Sequence, residues 1–244
     1  MSIAFFDVDG TLVPLPSLER RFVWNLMRRR KIPPANYVRW AAQMVRSGTT
    51  NLATTAQSNK SYLRGVAASI LSQPELRHGR WIPEFFPDAI QRVWWHVVRG
   101  DRVVLVTGTL APLAEIVKAA LERELLWRGV ETQIAVLATR LVAQNGFWTG
   151  NVAGVRMFGE AKATAAKYFA SSHGVPLSRC FAYGDHCLDR PMLEVVGNPV
   201  AVNPNPPLRR VAHQNGWRVL NWGPCPRRIA AARHALKWKG EVAR

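Results

Sequence analysis

Apolar positions along this chain fall into two rhythms. Ile3-Ala4-Phe5-Phe6 is a short continuous apolar run, and it reads as a buried strand. Val103 to Val106, Thr132 to Leu137, Cys180 to Tyr183, Pro199 to Asn203 and Trp217 to Leu220 are further strand-like runs. Helical spacing fills the intervals. Leu18, Phe22, Leu26 and Met27 mark a first helix. Ser17 is placed to cap its start, Arg28 to Lys31 suit the negative end of its dipole, and Pro33-Pro34 stop it. Asn36 to Val45, Thr50 to Leu71 and Pro87 to Val98 read as three more helices, followed by Leu110 to Arg128 and Lys162 to Ser172. Asn145-Gly146 signals a hairpin turn with Arg140 to Ala143 and Phe147 to Gly150 as its arms.

Strands alternating with helices predict an α/β fold built on a doubly wound parallel sheet. The long helical interval between the first two strands predicts a smaller inserted helical domain. The expected division is a core of residues 1–14 and 98–224, a helical insertion of 15–97, and a basic tail of 225–244 with Ile229, Ala232 and Leu236 on one side.

Four strand or helix ends carry polar groups suited to one chemistry. The first strand runs into Asp7-Val8-Asp9-Gly10-Thr11, two carboxylates two residues apart where an open α/β sheet binds ligands. Unpaired, they repel, so a cation is the natural compensation. The second strand ends in Thr107-Gly108-Thr109, Gly159-Glu160-Ala161-Lys162 opens a helix, and Cys180 to Tyr183 leads into Gly184-Asp185-His186-Cys187-Leu188-Asp189. Each segment alone is ordinary turn or cap chemistry.

Together, and in this order, the four segments resemble the motifs of the haloacid dehalogenase superfamily. The resemblance is closest to its subfamily IB, the phosphoserine-phosphatase-like branch with a helical cap. It implies a Rossmann-like core and a phosphatase working through an aspartyl-phosphate. In that reading Asp7 is the nucleophile and Asp9 the general acid and base. Thr107 and the Gly108 amide hold phosphate, with Thr109 as the rival to Thr107. Lys162 neutralises developing charge, with Lys167 as its rival. Mg²⁺ is held by Asp7, the Asp9 carbonyl and Asp185, with Asp189 in support. Asn59, Lys60 and Arg64 are candidate substrate contacts, or else a solvated helix face. The cap glutamate that recognises the serine ammonium in phosphoserine phosphatases is replaced here by Pro16, and Glu19 is near but out of register. Leu188 and His186 also depart from the usual fourth motif, and His186 reads as a structural hydrogen-bonder, with contact to substrate or metal-bound water as the alternative.

Composition changes the picture in one respect. A hydrophobic content of 48% over 244 residues supports a full core. Cys180, Cys187 and Cys225 lack metal spacing and cannot all pair, which fits a reducing compartment. With no secretory signal and no apolar stretch of about 18 residues, the expectation is a cytoplasmic protein. The net charge of +17 is the anomaly, because one phosphate needs only a few cations.

Three functions therefore compete. The first is a Mg²⁺-dependent phosphatase acting on a small-molecule phosphate ester. The second keeps that chemistry but docks on an anionic membrane surface and takes a lipid phosphate. The third is a nucleic-acid-binding protein on an inactive fold, using the basic runs and nearby tryptophans. The intact carboxylate cluster argues against it, so nucleic acid is the weakest partner.

Overall fold

The computed structural model describes residues 1–46, 60–72 and 84–223. Its strands are β1 Ile3–Phe6, β2 Arg102–Leu110, β3 Ala135–Gln144, β4 Phe147–Ala153, β5 Phe181–Gly184, β6 Asn198–Val202 and β7 Arg218–Leu220. They form one seven-stranded sheet in the order β4-β3-β2-β1-β5-β6-β7. Every pair is parallel except β3 with β4. The chain winds from β1 outward through β2 and β3, then returns to the other side of β1 with β5. That reversal leaves the carboxyl ends of β2, β1 and β5 side by side, where doubly wound sheets bind ligands.

Helices cover both faces. They are α1 Leu18–Arg28, α2 Ala35–Arg46, α3 Pro87–Val98, α4 Ala111–Trp127, α5 Glu160–Ser172, α6 Arg190–Glu194 and α7 Pro206–Gln214. The β1 strand shows why its sequence is a continuous apolar run. Ala4 and Phe6 point into the cluster that holds Leu18, Phe22, Val93, Leu113 and Leu121. Ile3 and Phe5 point the other way, into the cluster of Ala166, Ala170, Met192 and Leu208. A strand buried on both faces has no polar position to alternate with.

Most predicted elements are present within a residue or two. Ser17 caps α1, its Oγ accepting from the Arg20 N–H at 3.4 Å. Two expectations need correction. The strand expected at Thr132 to Leu137 and the hairpin arm from Arg140 form one strand, Ala135–Gln144, which is parallel to β2 and then antiparallel to β4. The Asn145-Gly146 turn takes φ of 51° and 81°, as a tight hairpin requires.

The helix expected over Thr50 to Leu71 is absent from its described part. Residues 60–72 instead form two 3₁₀ turns, Ser61–Leu63 and Ala68–Ser72. Between them the chain pairs with β4: the Gly65 N–H donates to the Trp148 carbonyl at 2.8 Å, and Trp148 returns a bond to Val66 at 2.9 Å. Gly65 makes the turn at a φ of 76°, and covering an open sheet edge outweighs the local helical pattern. Residues 50–59, and the tail beyond Gly223 with its expected helix, lie outside the described residues.

α3 is fastened beneath β1 and β5 by a buried polar network. His96 is fully buried, with Nδ1 at 2.9 Å from Asp101 Oδ2 and Nε2 at 2.8 Å from the Tyr183 hydroxyl. Neutral His96 satisfies both contacts, donating from Nδ1 and accepting at Nε2. Burial pulls its pKa down to about 4, against the hydrogen bond and charge of Asp101; the Arg92 and Arg99 guanidinium charges lower it further. Asp101 is itself held below the usual range, because bonds from Ser2 and His96 outweigh its burial.

Between about pH 6.5 and pH 4 the unfolded chain therefore binds a proton at His96 that the folded chain refuses. Stability from this group is complete above that window and is lost as pH falls through it. The unfolding free energy of the native chain relative to His96→Gln is expected to shrink by about 3 kcal/mol from pH 7 to pH 4. Denaturant titrations across the window measure it, and a constant difference excludes a histidine held neutral.

Candidate active site

The ends of β1, β2 and β5 converge with the first turn of α5. Asp7 follows β1 and is anchored by its N–H, which donates to the Tyr183 carbonyl of β5 at 2.9 Å. Its Oδ1 accepts from Lys162 Nζ at 2.6 Å, and the same ammonium donates to Asp189 Oδ1 at 2.5 Å. All three side chains are buried. The other Asp189 oxygen accepts from the Asp185 and His186 N–H groups at 3.2 and 3.0 Å. Asp189 thus ties the β5 loop to Lys162. Lys167 is exposed on the same helix, so of the two lysines it is Lys162 that meets Asp7.

Asp9 sits apart from this cluster and has different partners. Its Oδ2 accepts from the Thr109 hydroxyl at 2.7 Å, and its Oδ1 accepts from the Leu18 N–H at 2.6 Å. Thr107 Oγ1 accepts from the Thr109 N–H at 3.1 Å. Thr109 is therefore engaged with Asp9, and Thr107 and Gly108 are left to line the floor at the end of β2. The Leu18 bond matters because α1 belongs to the inserted segment: the helix start holds the Asp9 carboxylate directly.

Two glycines permit the close approach. Gly10 takes φ of 88°, and a Cβ built there would lie 2.1 Å from Asp185 Oδ2. A Cβ on Gly108 would lie 2.0 Å from the Phe158 ring. Gly10→Ala is expected to push Asp185 out of position and to lower turnover by about 100-fold or more. Kinetics beside a thermal melt will separate this from global unfolding; near-normal turnover means Asp185 needs no fixed place.

The electrostatics of the cluster call for more positive charge than Lys162 supplies. Burial, with the charges of Asp189 and Asp9, raises Asp7 to about 7 despite Lys162. Burial, then Asp7 and Asp189, raises Asp185 to about 9. Burial works to lower Lys162, but the charges of Asp189 and Asp7 outweigh it and keep the ammonium protonated. Asp9 is also raised, by burial against its two hydrogen bonds. Carboxyl oxygens of Asp7, Asp185 and Asp189 lie within 4.8 Å of one another. Such an all-oxygen donor set fits a hard divalent cation, which would let these carboxylates ionise together near neutral pH.

Of the candidate substrate contacts, Asn59 lies outside the described residues. Lys60 is not presented to the cleft as a free cation: it is buried, with Nζ at 2.5 and 2.6 Å from the two Glu19 oxygens. The Tyr62 hydroxyl also donates to Glu19, and burial followed by the Glu19 charge raises its pKa and keeps the proton on. Arg64 is exposed. His186 caps the turn after β5, its Nδ1 accepting from the Leu188 N–H at 3.2 Å. Sequence reasoning missed the roles of Thr109 and Glu19. The i, i+2 spacing of Thr107 and Thr109 on one strand face was the available signal for the first.

The haloacid dehalogenase-like hydrolase family matches this chain over residues 4–194. A protein of Mycobacterium tuberculosis named probable phosphatase is 30% identical over 235 residues, covering 90% of this chain and 75% of that protein. A phosphoserine phosphatase of the same organism is 30% identical over 227 residues, covering 90% and 70%. A crystal structure of a protein of unknown function from Bordetella pertussis superposes with a TM-score of 0.71 at 27% identity, covering 90% of this chain and 97% of that one.

Proposed function

This chain belongs to the haloacid dehalogenase-like hydrolase family and shares the phosphatase class of its named relatives, and from that premise we propose a phosphomonoesterase working through an aspartyl-phosphate on Asp7. The observation that carries the reading is the separation of the two β1 carboxylates. Asp7 faces Lys162 and the cation-type cluster, whereas Asp9 is held by Thr109 and the α1 N-terminus. One group is paired with the Lys162 ammonium and sits in the oxygen cluster suited to a cation, where a phosphate anion could be met. The other is raised by burial and is bonded to the Thr109 hydroxyl and the Leu18 N–H, not to an ammonium, an environment suited to a group that gives and takes a proton.

In the first half-reaction an Asp7 oxygen attacks phosphorus and the ester oxygen leaves. Asp9 gives that oxygen a proton. In the second, Asp9 takes a proton from water as the water attacks the aspartyl-phosphate, which restores Asp7 and releases phosphate. Lys162 offsets charge on the phosphoryl oxygens, and Thr107 with the Gly108 N–H would bind them. Asp7, Asp185 and the Asp9 carbonyl would hold Mg²⁺, with Asp189 steadying the loop; the ion would supply charge neutralisation at the phosphate. The inserted segment, entered through α1, would close the site from water.

Phosphoserine is disfavoured as the substrate, because Pro16 stands where the partner of its ammonium is expected. The acidic group of α1 near Asp9 is Glu19, and Lys60 and Tyr62 already engage it. No helix among the described residues is long and apolar enough to cross a membrane. Hydrolysis of para-nitrophenyl phosphate is expected with Mg²⁺ and is expected to vanish with EDTA, returning on re-addition. Turnover unaffected by chelation removes the cation from the reading, and no turnover on any ester removes the reading itself.

A further inference from the structure

Beside the site lies a groove of about 1270 Å³, walled by α2, the Lys60 to Arg64 turn, β4 and the loop leading to α5. Three guanidinium groups line it, those of Arg39, Arg64 and Arg156. No Asp or Glu is among its lining residues, and none of the three is in an ion pair with a described carboxylate. Lys60 also lines the groove, but Glu19 balances its charge. Apolar surface from Val38 and Phe158 separates the cations.

The groove lies next to the site, and two of its lining residues adjoin the reacting groups. Phe158 packs on Gly108 at the end of β2, and the lining residue Ala161 immediately precedes Lys162. Its far wall is held in place. A Cβ on Gly150 of β4 would lie 3.0 Å from Ser61 Cα, and the Gly65 and Val66 bonds to Trp148 lock the turn against the hairpin. Arginines that approach from three separate elements, with no carboxylate facing them, leave a standing positive field beside the phosphate site.

We propose that this groove receives the leaving group of the substrate and selects phosphate esters whose leaving group carries a second anionic group. The inference rests on the phosphatase reading above. Arginine forks match phosphate and carboxylate oxygens, and the apolar stretches would take the body that joins the two charges. The groove is large enough for a sugar or glycerol skeleton between two phosphates. The second anion can belong to a soluble metabolite or to a phospholipid headgroup, and the chemistry of recognition is the same.

Two matched pairs test this with the full chain and Mg²⁺. Fructose 6-phosphate against fructose 1,6-bisphosphate serves in solution. Phosphatidate against phosphatidylglycerol phosphate serves in phosphatidylcholine vesicles. The doubly charged member of at least one pair is expected to show kcat/KM about tenfold higher, carried mainly by KM and weakened at high salt. The pair that responds identifies the source.

Arg39→Gln, Arg64→Gln and Arg156→Gln are each expected to narrow that ratio several-fold. Thermal melts confirm the fold, since all three side chains are exposed. Equal kcat/KM within both pairs, or a ratio indifferent to all three substitutions, overturns the proposal and leaves the phosphatase standing. Absence of turnover on every ester overturns both.

Discussion

Asp7→Asn is expected to lower kcat by about 10⁴-fold or more while the chain stays folded. The amide is nearly isosteric and still accepts from Lys162, whose second partner, Asp189 at 2.5 Å, is untouched. What is lost is the anionic oxygen that would attack phosphorus in the proposed reaction. The neighbouring carboxylate does not substitute, because Asp9 is turned toward Thr109 and Leu18. The substitution also removes one negative charge from a crowded buried cluster, so stability without metal is expected to hold or rise slightly. Rapid acid quenching of the native enzyme with labelled substrate should trap a hydroxylamine-sensitive acyl phosphate that the variant lacks. A variant retaining more than about one per cent of native turnover, or native enzyme with no trapped phosphoryl group, would argue against covalent catalysis at Asp7.

Lys162→Met separates charge from shape and is expected to affect both stability and rate. The ammonium is the shared partner of two buried carboxylates. Removing it leaves Asp7, Asp185 and Asp189 facing one another, and breaking a buried ion pair from one side costs about 3–5 kcal/mol. The pH dependence has a definite sign. Asp7 and Asp185 are already raised by burial and mutual repulsion, and loss of Lys162 raises them further. The folded variant then binds protons that the unfolded chain does not, so its deficit shrinks as pH falls from 8 toward 5.

A divalent cation should recover part of the deficit by the same logic. Turnover is expected to fall about 10²- to 10³-fold even where stability is restored, because the other buried ammonium among the described residues, that of Lys60, is paired with Glu19. Urea titrations at two pH values, with and without Mg²⁺, measure the first effect. A stability loss insensitive to both pH and Mg²⁺ would mean that Met fails by packing, not by charge.

How much of this was visible in the chain depends on distance along it. β1 was legible because four apolar residues followed by Asp7-Val8-Asp9-Gly10 carry strand, stop and chemistry within eight positions. The Asn145-Gly146 turn and the Ser17 cap were legible for the same reason: local backbone preferences decide them. The segment after Lys60 was misread because its helical spacing competes with an unpaired β4 edge that lies more than eighty residues further on. The strand beginning at Ala135 was split in two because its burial is uneven along its length, half-buried beside β2 and more open beside β4.

The same division holds at the site. By itself the sequence determined the order of the strands' chemistry, the residue types at each strand end, and the family in which such an order occurs. Those properties reside in short stretches whose physics is local. Only the tertiary structure decided that Lys162 and not Lys167 meets Asp7, that Thr109 serves Asp9, and that Glu19 is spent on Lys60. It alone gathered Arg39, Arg64 and Arg156 around one groove. Each of these pairings joins residues from separate elements, and charge or hydrogen-bond partners that distant are chosen by packing, which no window of sequence contains.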